Sequence, residues 1–233
     1  MKYAVLWLLM SIIMTTSVSA GVTLEGTRII FDAERLSQSV LVVNTNDYDV
    51  VVQSWVDNGD LDNQPESAIA PVITKPALFT LKTGQSQVIQ LVNVNQVPIQ
   101  SEQLYWLNLY ELPPVQAAGV DKIVLTMQTQ YKLFYRYMAM TVPNEKLAQL
   151  LTLSEITQDG KYFLSIRNNS SVHINLAGIG IDGHSLDKFE RVISPNGYQM
   201  ISLESSIKNP KVTLDIIDDS GAVFTLSKSL STL

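Results

Sequence analysis

Apolar residues occur along this chain in short runs, and each run is ended by residues that favour turns. Val, Ile and aromatic residues dominate the runs, while Asn, Asp, Gly or Pro separates them, which is typical of β-strands. Only residues 144–151 have a helical pattern. The sequence therefore predicts an all-β fold. The clearest predicted strands are residues 40–43, 50–56, 88–92, 105–110, 164–168, 174–181, 199–203 and 212–217.

Chain length and turn spacing together predict two domains. Regular short strands separated by turns favour antiparallel sandwiches, and one such sandwich takes about 100 residues. The 233-residue chain is long enough for two such sandwiches in tandem. The strand pattern breaks at residues 141–144, Thr-Val-Pro-Asn. We predict an N-terminal domain at residues 21–140 and a C-terminal domain at residues 141–233.

The first twenty residues have the pattern of a secretory signal peptide. Lys2 is followed by an apolar stretch over residues 3–14 and by small and polar residues that end at Ala20. The alternative is a membrane anchor, but a membrane-spanning helix needs about 20 apolar residues. We therefore expect cleavage after Ala20, export from the cytoplasm, and no membrane span in the mature chain.

Composition excludes several classes of protein. Hydrophobic residues make up 46% of the chain and charged residues 16%, which is too apolar for a disordered protein. The 16 basic and 22 acidic residues give a net charge of -6, so the molecule as a whole has no attraction to nucleic acid. The absence of Cys excludes disulfides, thiolate catalysis and Cys-ligated zinc.

Residues that could support catalysis are few. The two histidines, His173 and His184, are too few for a three-His zinc site, and both are predicted in solvated loops or at strand edges. Residues 178–183 spell GxGxxG, but no helix pattern follows to bind a pyrophosphate. The acidic residues 57–62 lack the spacing of a calcium loop. We therefore predict no catalytic residue, no metal and no cofactor.

Two stretches carry more specific information. In residues 123–136 the apolar residues Ile123, Leu125 and Met127 share one strand face, and Lys132 interrupts a later apolar run. A buried strand of a sandwich would give the same alternation. Near the start, Arg28 lies within another strand-like run. If the fold brings these two cations together, they make a site for a carboxylate or phosphate.

These two stretches, Gly-Thr-Arg-Ile-Ile-Phe at residues 26–31 and Lys-Leu-Phe-Tyr-Arg at 132–136, resemble those of PapD-like periplasmic pilus chaperones. Further short matches follow in order along the chain, including Glu-Gln-Leu-Tyr-Trp-Leu-Asn-Leu-Tyr at 102–110. The resemblance implies two immunoglobulin-like domains around a cleft. It assigns three sets of residues: Arg28 and Lys132 bind the C-terminal carboxylate of a pilus subunit, Ile123, Leu125 and Met127 form a donor strand, and Glu102, Arg136 and Asp218 form an interdomain ion network.

The resemblance also implies partners and a location. We expect a non-enzymatic chaperone in the periplasm that caps pilus subunits by donor-strand complementation and delivers them to an outer-membrane usher. Self-association of the unloaded protein through its exposed strand stays open. The alternative is a secreted immunoglobulin-like adhesin or a pilus structural subunit. A subunit would be one incomplete domain with its own N-terminal donor extension, whereas this chain contains two sets of strands.

Overall fold

The computed structural model describes residues 21–96, 98–112, 126–181, 183–208 and 211–231. The predicted signal peptide, together with Ile123 and Leu125 of the predicted donor strand, lies outside these residues. The described chain is mostly β-strand and forms two β-sandwiches, which confirms the predicted all-β, two-domain fold class.

The first sandwich contains nine described strands. They are β1 (Val22–Leu24), β2 (Arg28–Asp32), β3 (Ser37–Asn44), β4 (Val50–Asp57), β5 (Val72–Lys75), β6 (Leu78–Leu81), β7 (Ser86–Asn93), β8 (Gln103–Leu112) and β9 (Met127–Arg136). One sheet has the order β1-β3-β7-β5, and the other has the order β2-β9-β8-β4-β6. All pairs are antiparallel except β2 with β9, which is parallel.

Alternating side chains of these two sheets form the first core. Val42 and Ile89 from one sheet and Leu107 and Leu133 from the other are fully buried in it. Burying a side chain of this size stabilises the fold by about 1.5–3 kcal/mol. The alternation also means that the intervening residues of β2, β8 and β9 lie on the opposite face of their sheet, and this face borders the second domain.

The second sandwich contains eight described strands. They are β10 (Leu151–Gln158), β11 (Lys161–Asn168), β12 (Ile174–Ile181), β13 (His184–Ser185), β14 (Val192–Ile193), β15 (Tyr198–Leu203), β16 (Lys211–Ile217) and β17 (Val223–Ser229). The sheet β10-β11-β15 packs on the sheet β13-β12-β16-β17, in which β14 also pairs with β12. Gly178 and Gly180 lie inside β12, so the GxGxxG pattern begins in a strand rather than before a helix.

A short linker joins the sandwiches. It contains a 3-10 turn at Met138–Met140 and the helix α1 (Asn144–Leu150), close to the helix predicted from sequence. Pro143 precedes the helix, where its fixed φ is compatible with a helix start. Leu147 packs in the second core, so the helix is fixed to the C-terminal domain.

Candidate anion-binding cleft

Arg28 and Lys132 lie side by side on the sheet that borders the cleft. β2 and β9 pair in parallel register, and Arg28 is directly opposite Lys132. Neighbouring strands are about 4.8 Å apart, so the two cations are adjacent. Ile29 and Leu133 point into the first core, and the alternation therefore turns Arg28 and Lys132 towards the cleft. The structure brings together the two cations that the sequence singled out.

Neither cation has a carboxylate partner within hydrogen-bond distance among the described residues. Lys132 Nζ donates to Asn175 Oδ1 at 3.2 Å and lies 5.8 Å from the centroid of the Trp106 ring. Burial, and after it the charge of Arg28, lowers the pKa of Lys132. These two effects are those expected of a cation that is partly removed from water and faces a like charge.

Arg28 also has a donor without a hydrogen-bond partner among the described residues. Its Nε is buried and makes no hydrogen bond within the described residues. Burial lowers the pKa of Arg28, and the nearby charges of Asp219 and Asp218 oppose this shift. An unpartnered buried donor costs free energy, and an anion that accepts from it removes that cost. Arg28 and Lys132 together can therefore bind a carboxylate through charge-assisted hydrogen bonds.

A buried ion network beside these cations joins the two domains. Glu102 Oε2 accepts from Arg136 Nη1 at 2.5 Å. Its other oxygen, Oε1, accepts from the backbone N–H of His173 at 2.7 Å and lies 2.8 Å from His173 Nδ1. Arg136 also pairs with Asp219 through Nη2. Glu102 and Arg136 belong to the first domain, whereas His173 and Asp219 belong to the second.

The network holds Glu102 in its ionised form. Burial raises the pKa of Glu102, but the hydrogen bonds from His173 and Arg136, together with the charge of Arg136, lower it by more. The pKa of Glu102 therefore lies below its usual value of 4.5. Burial lowers the pKa of Arg136, and its bonds to Asp219 and Glu102 raise it above the usual value. A buried charge is tolerated only with such partners.

The structure corrects two expectations about this network. The resemblance placed Asp218 in it, but the partner of Arg136 is the next residue, Asp219. Asp218 instead stabilises its own turn, where its Oδ1 accepts from Ser220 N at 2.9 Å and from Ala222 N at 3.0 Å. His173 was expected in a solvated loop or at a strand edge; it directly precedes β12, and its side chain is only 7% exposed because it packs against Glu102.

Part of β9 has an open edge. β8 pairs with β9 from Met127 to Tyr135, whereas β2 pairs with it only from Lys132 to Arg136. No other described strand covers the edge from Met127 to Tyr131. Met127 is 48% exposed. An extended chain could therefore pair with this edge and end beside Arg28 and Lys132.

Other chemistry is not evident in the described residues. They contain no group of three or more His, Asp or Glu side chains that could hold a metal. In the same residues, none of the helices has the length and apolar character needed to cross a bilayer. A cavity of about 300 Å³ lies between the domains, lined in part by Phe134, Asn175 and Ile216.

Comparison with known proteins identifies relatives over nearly the whole described chain. Residues 21–141 match the family described as "Pili and flagellar-assembly chaperone, PapD N-terminal domain". Residues 147–228 match the family described as "Pili assembly chaperone PapD, C-terminal domain". The chaperone protein PapD of Escherichia coli is 30% identical over 190 residues, which is 78% of this chain and 76% of the relative.

Two further proteins match most of the chain. The chaperone protein MrkB of Klebsiella pneumoniae is 29% identical over 210 residues, 87% of this chain and 88% of that protein. Among solved structures, the Salmonella enterica SafB chaperone in complex with the SafA pilin gives a TM-score of 0.75 at 23% identity, covering 92% of this chain and 99% of that one. This last likeness supports the fold.

Proposed function

The chain belongs to the PapD family of pilus-assembly chaperones, a family of non-enzymatic chaperones, and we propose that it binds the C-terminal carboxylate of a pilus subunit at Arg28 and Lys132. One observation carries this proposal: two adjacent, partly buried cations face the interdomain cleft without a carboxylate partner among the described residues. Each charge-assisted hydrogen bond to them would contribute about 1.5–3 kcal/mol.

The open edge of β9 supports the second part of the proposal, donor-strand complementation. A subunit strand that ends at Lys132 and pairs along Met127–Tyr131 runs parallel to β9, because its C-terminus lies at the C-terminal end of that open edge. Ile123, Leu125 and Met127 are the proposed donor side chains. Burial of the remaining 48% of Met127 that is exposed would contribute about 0.7–1.5 kcal/mol, half of the value for a fully exposed side chain.

We propose further that the protein acts in the periplasm and transfers its subunit to an outer-membrane usher. The signal-like first twenty residues support export. An exposed apolar cluster supports a second partner: Leu36, Ile69, Ile73 and Val94 are between 50% and 82% exposed. Leu36, Ile73 and Val94 lie at one end of the sheet β1-β3-β7-β5, which is not the sheet that carries Arg28 and Lys132. An exposed apolar patch of this kind can bind a partner.

Co-purification from the native periplasm tests the carboxylate anchor. The tagged mature protein would be isolated as wild type, Arg28→Ala and Lys132→Ala, and bound chains would be identified by intact mass. We expect a pilin-sized chain with wild type and its loss in both variants. Arg35→Ala and Lys161→Ala are matched controls, because both cations are exposed and neither is bonded to Arg28 or Lys132. They should retain the partner.

Two other results would contradict the proposal in different ways. A partner that remains bound to Arg28→Ala and to Lys132→Ala would place the binding face elsewhere on the molecule. The absence of any bound chain from cells that are producing pili would favour the adhesin alternative.

A further inference from the structure

Among the described residues of the second domain, Asn175 is the one that bonds directly to a cation of the proposed carboxylate site. We infer that Asn175 is the third residue of that site: its Oδ1 positions Lys132 without neutralising it, and its Nδ2 donates to the bound carboxylate. This inference rests on the proposed function, since it concerns how the subunit's carboxylate is bound.

The orientation of the Asn175 amide follows from chemistry. An ammonium group has only donors, so the atom that faces Lys132 Nζ at 3.2 Å must be the amide oxygen. The NH₂ group therefore points away from Lys132. It makes no hydrogen bond within the described residues, although the residue is only 6% exposed. Asn175 also lines the cavity between the domains, and its Nδ2 is a donor without a partner among the described residues.

The neutrality of this side chain matters for binding. A carboxylate at position 175 would form an ion pair with Lys132, and a subunit's carboxylate would then have to compete with it. An amide oxygen holds the ammonium in place by a hydrogen bond but leaves its charge uncompensated. The site therefore stays cationic while its geometry is already fixed, and this preorganisation reduces the cost of binding.

The position of Asn175 also gives the site donors from both domains. Arg28 and Lys132 lie on β2 and β9, whereas Asn175 lies on β12. A carboxylate has two oxygens and can accept from all three residues. Binding then links the domains directly, so a ligand without a terminal carboxylate loses contacts to both of them.

Isosteric substitution separates these roles. The variants are Asn175→Asp, which adds a charge at constant shape, and Asn175→Ala, which removes the amide. Asn169→Asp is the control, because it makes the same change at an exposed site in the same domain. The probe is an acetylated eight-residue peptide of alternating Val and Thr, with a free C-terminal carboxylate or with a C-terminal amide. Binding would be followed by NMR of ¹³C-labelled lysine, with Lys132 assigned from Lys132→Ala.

We expect wild type to prefer the free acid over the amide. Asn175→Asp should lower this preference at least tenfold, because it removes the Nδ2 donor and adds a negative charge that repels the peptide's carboxylate and pairs with Lys132. Asn175→Ala should lower it about threefold to tenfold by the loss of a neutral donor and of the Lys132 contact. Asn169→Asp should leave it within about twofold. In Asn175→Asp the Lys132 signal should titrate at a higher pH, since a carboxylate favours the ammonium form.

The outcomes distinguish this inference from the proposed function. If both Asn175 variants keep the wild-type preference while Lys132→Ala loses it, Asn175 has no part in the site and the proposed anchor stands. If wild type binds acid and amide alike, the anchor itself fails. If Asn175→Asp does not fold by circular dichroism, Asn175→Ala and Asn175→Ser decide the question with the same two peptides.

Discussion

Removal of the Glu102 carboxylate should uncouple the two domains. In Glu102→Ala the buried Arg136 guanidinium, 3% exposed, keeps only Asp219, whose side chain is 52% exposed, as a charged partner. The backbone N–H and the imidazole of His173 also lose their acceptor. Breaking a buried ion pair by removing one partner costs about 3–5 kcal/mol. With a urea m-value of about 2 kcal/mol per M, this lowers the unfolding midpoint of the first domain by about 1.5–2.5 M.

Tryptophan fluorescence can report on one domain alone. After removal of the signal segment the remaining tryptophans are Trp55 and Trp106, both in the first sandwich. Far-UV circular dichroism reports on both sandwiches. We expect the two signals to unfold together in wild type and at separate urea concentrations in Glu102→Ala.

Glu111 provides the matched control. It is also buried, at 3% exposure, but its partners Val22 N, at 2.7 Å, and Asn46 Nδ2, at 2.9 Å, belong to its own domain. Glu111→Ala should destabilise the first domain without separating the two signals. The reasoning is refuted if Glu102→Ala unfolds within about 0.2 M of wild type, or if its fluorescence and dichroism transitions remain coincident.

Three further predictions concern pH, the donor strand and a tight turn. Hydrogen bonds from His173 help to hold the pKa of Glu102 below 4.5 in the folded protein, so Glu102 stabilises the fold above pH 4.5 and loses this contribution as the pH falls through its lower folded-state pKa. In Glu102→Gln the urea unfolding midpoint should therefore change less between pH 6 and pH 3 than in wild type. Met127→Ser should weaken affinity for the co-purified subunit about threefold to tenfold in a competition assay, whereas an unchanged affinity would exclude this residue from the donor strand. Gly59→Ala should lower thermal stability and shift tryptophan fluorescence, because at φ +90° its Cβ would lie 2.2 Å from Trp106 Nε1; wild-type spectra would contradict this.

The sequence was most informative about which face of a strand a charged residue occupies, because side chains alternate between the two faces. A cation within an apolar run must leave the core, so Arg28 and Lys132 could be assigned to an outer face from the pattern alone. Their adjacency required the parallel pairing of β2 with β9. No local pattern predicts that pairing, since the two strands are far apart in the chain, and it was the resemblance to known chaperones that placed the two residues together.

Contacts between the domains were less predictable. His173 meets Glu102 across 71 positions of sequence, and a single His in a polar segment gives no local sign of burial. The choice between Asp218 and Asp219 depends on how one turn is folded, because neighbouring residues of a turn point in different directions. Asn175 carries no signal at all in the sequence, since an Asn near the start of a strand is ordinary.

β2 covers only the C-terminal half of one edge of β9, so the first residue of β2 limits how far a strand bound to the open half can extend. β2 begins at Arg28, immediately where the open edge of β9 ends, so a guest strand on that edge can advance only as far as Arg28. The position of the guest strand's last residue is therefore fixed, and this also fixes which residue of β9 each earlier guest residue pairs with. Side chains of a strand alternate between faces, so one extra residue at the guest's terminus would exchange its inward and outward sets. The limit at Arg28 therefore selects guest strands by whether their apolar residues lie an odd or an even number of positions from the C-terminus, and not by the identity of any single side chain.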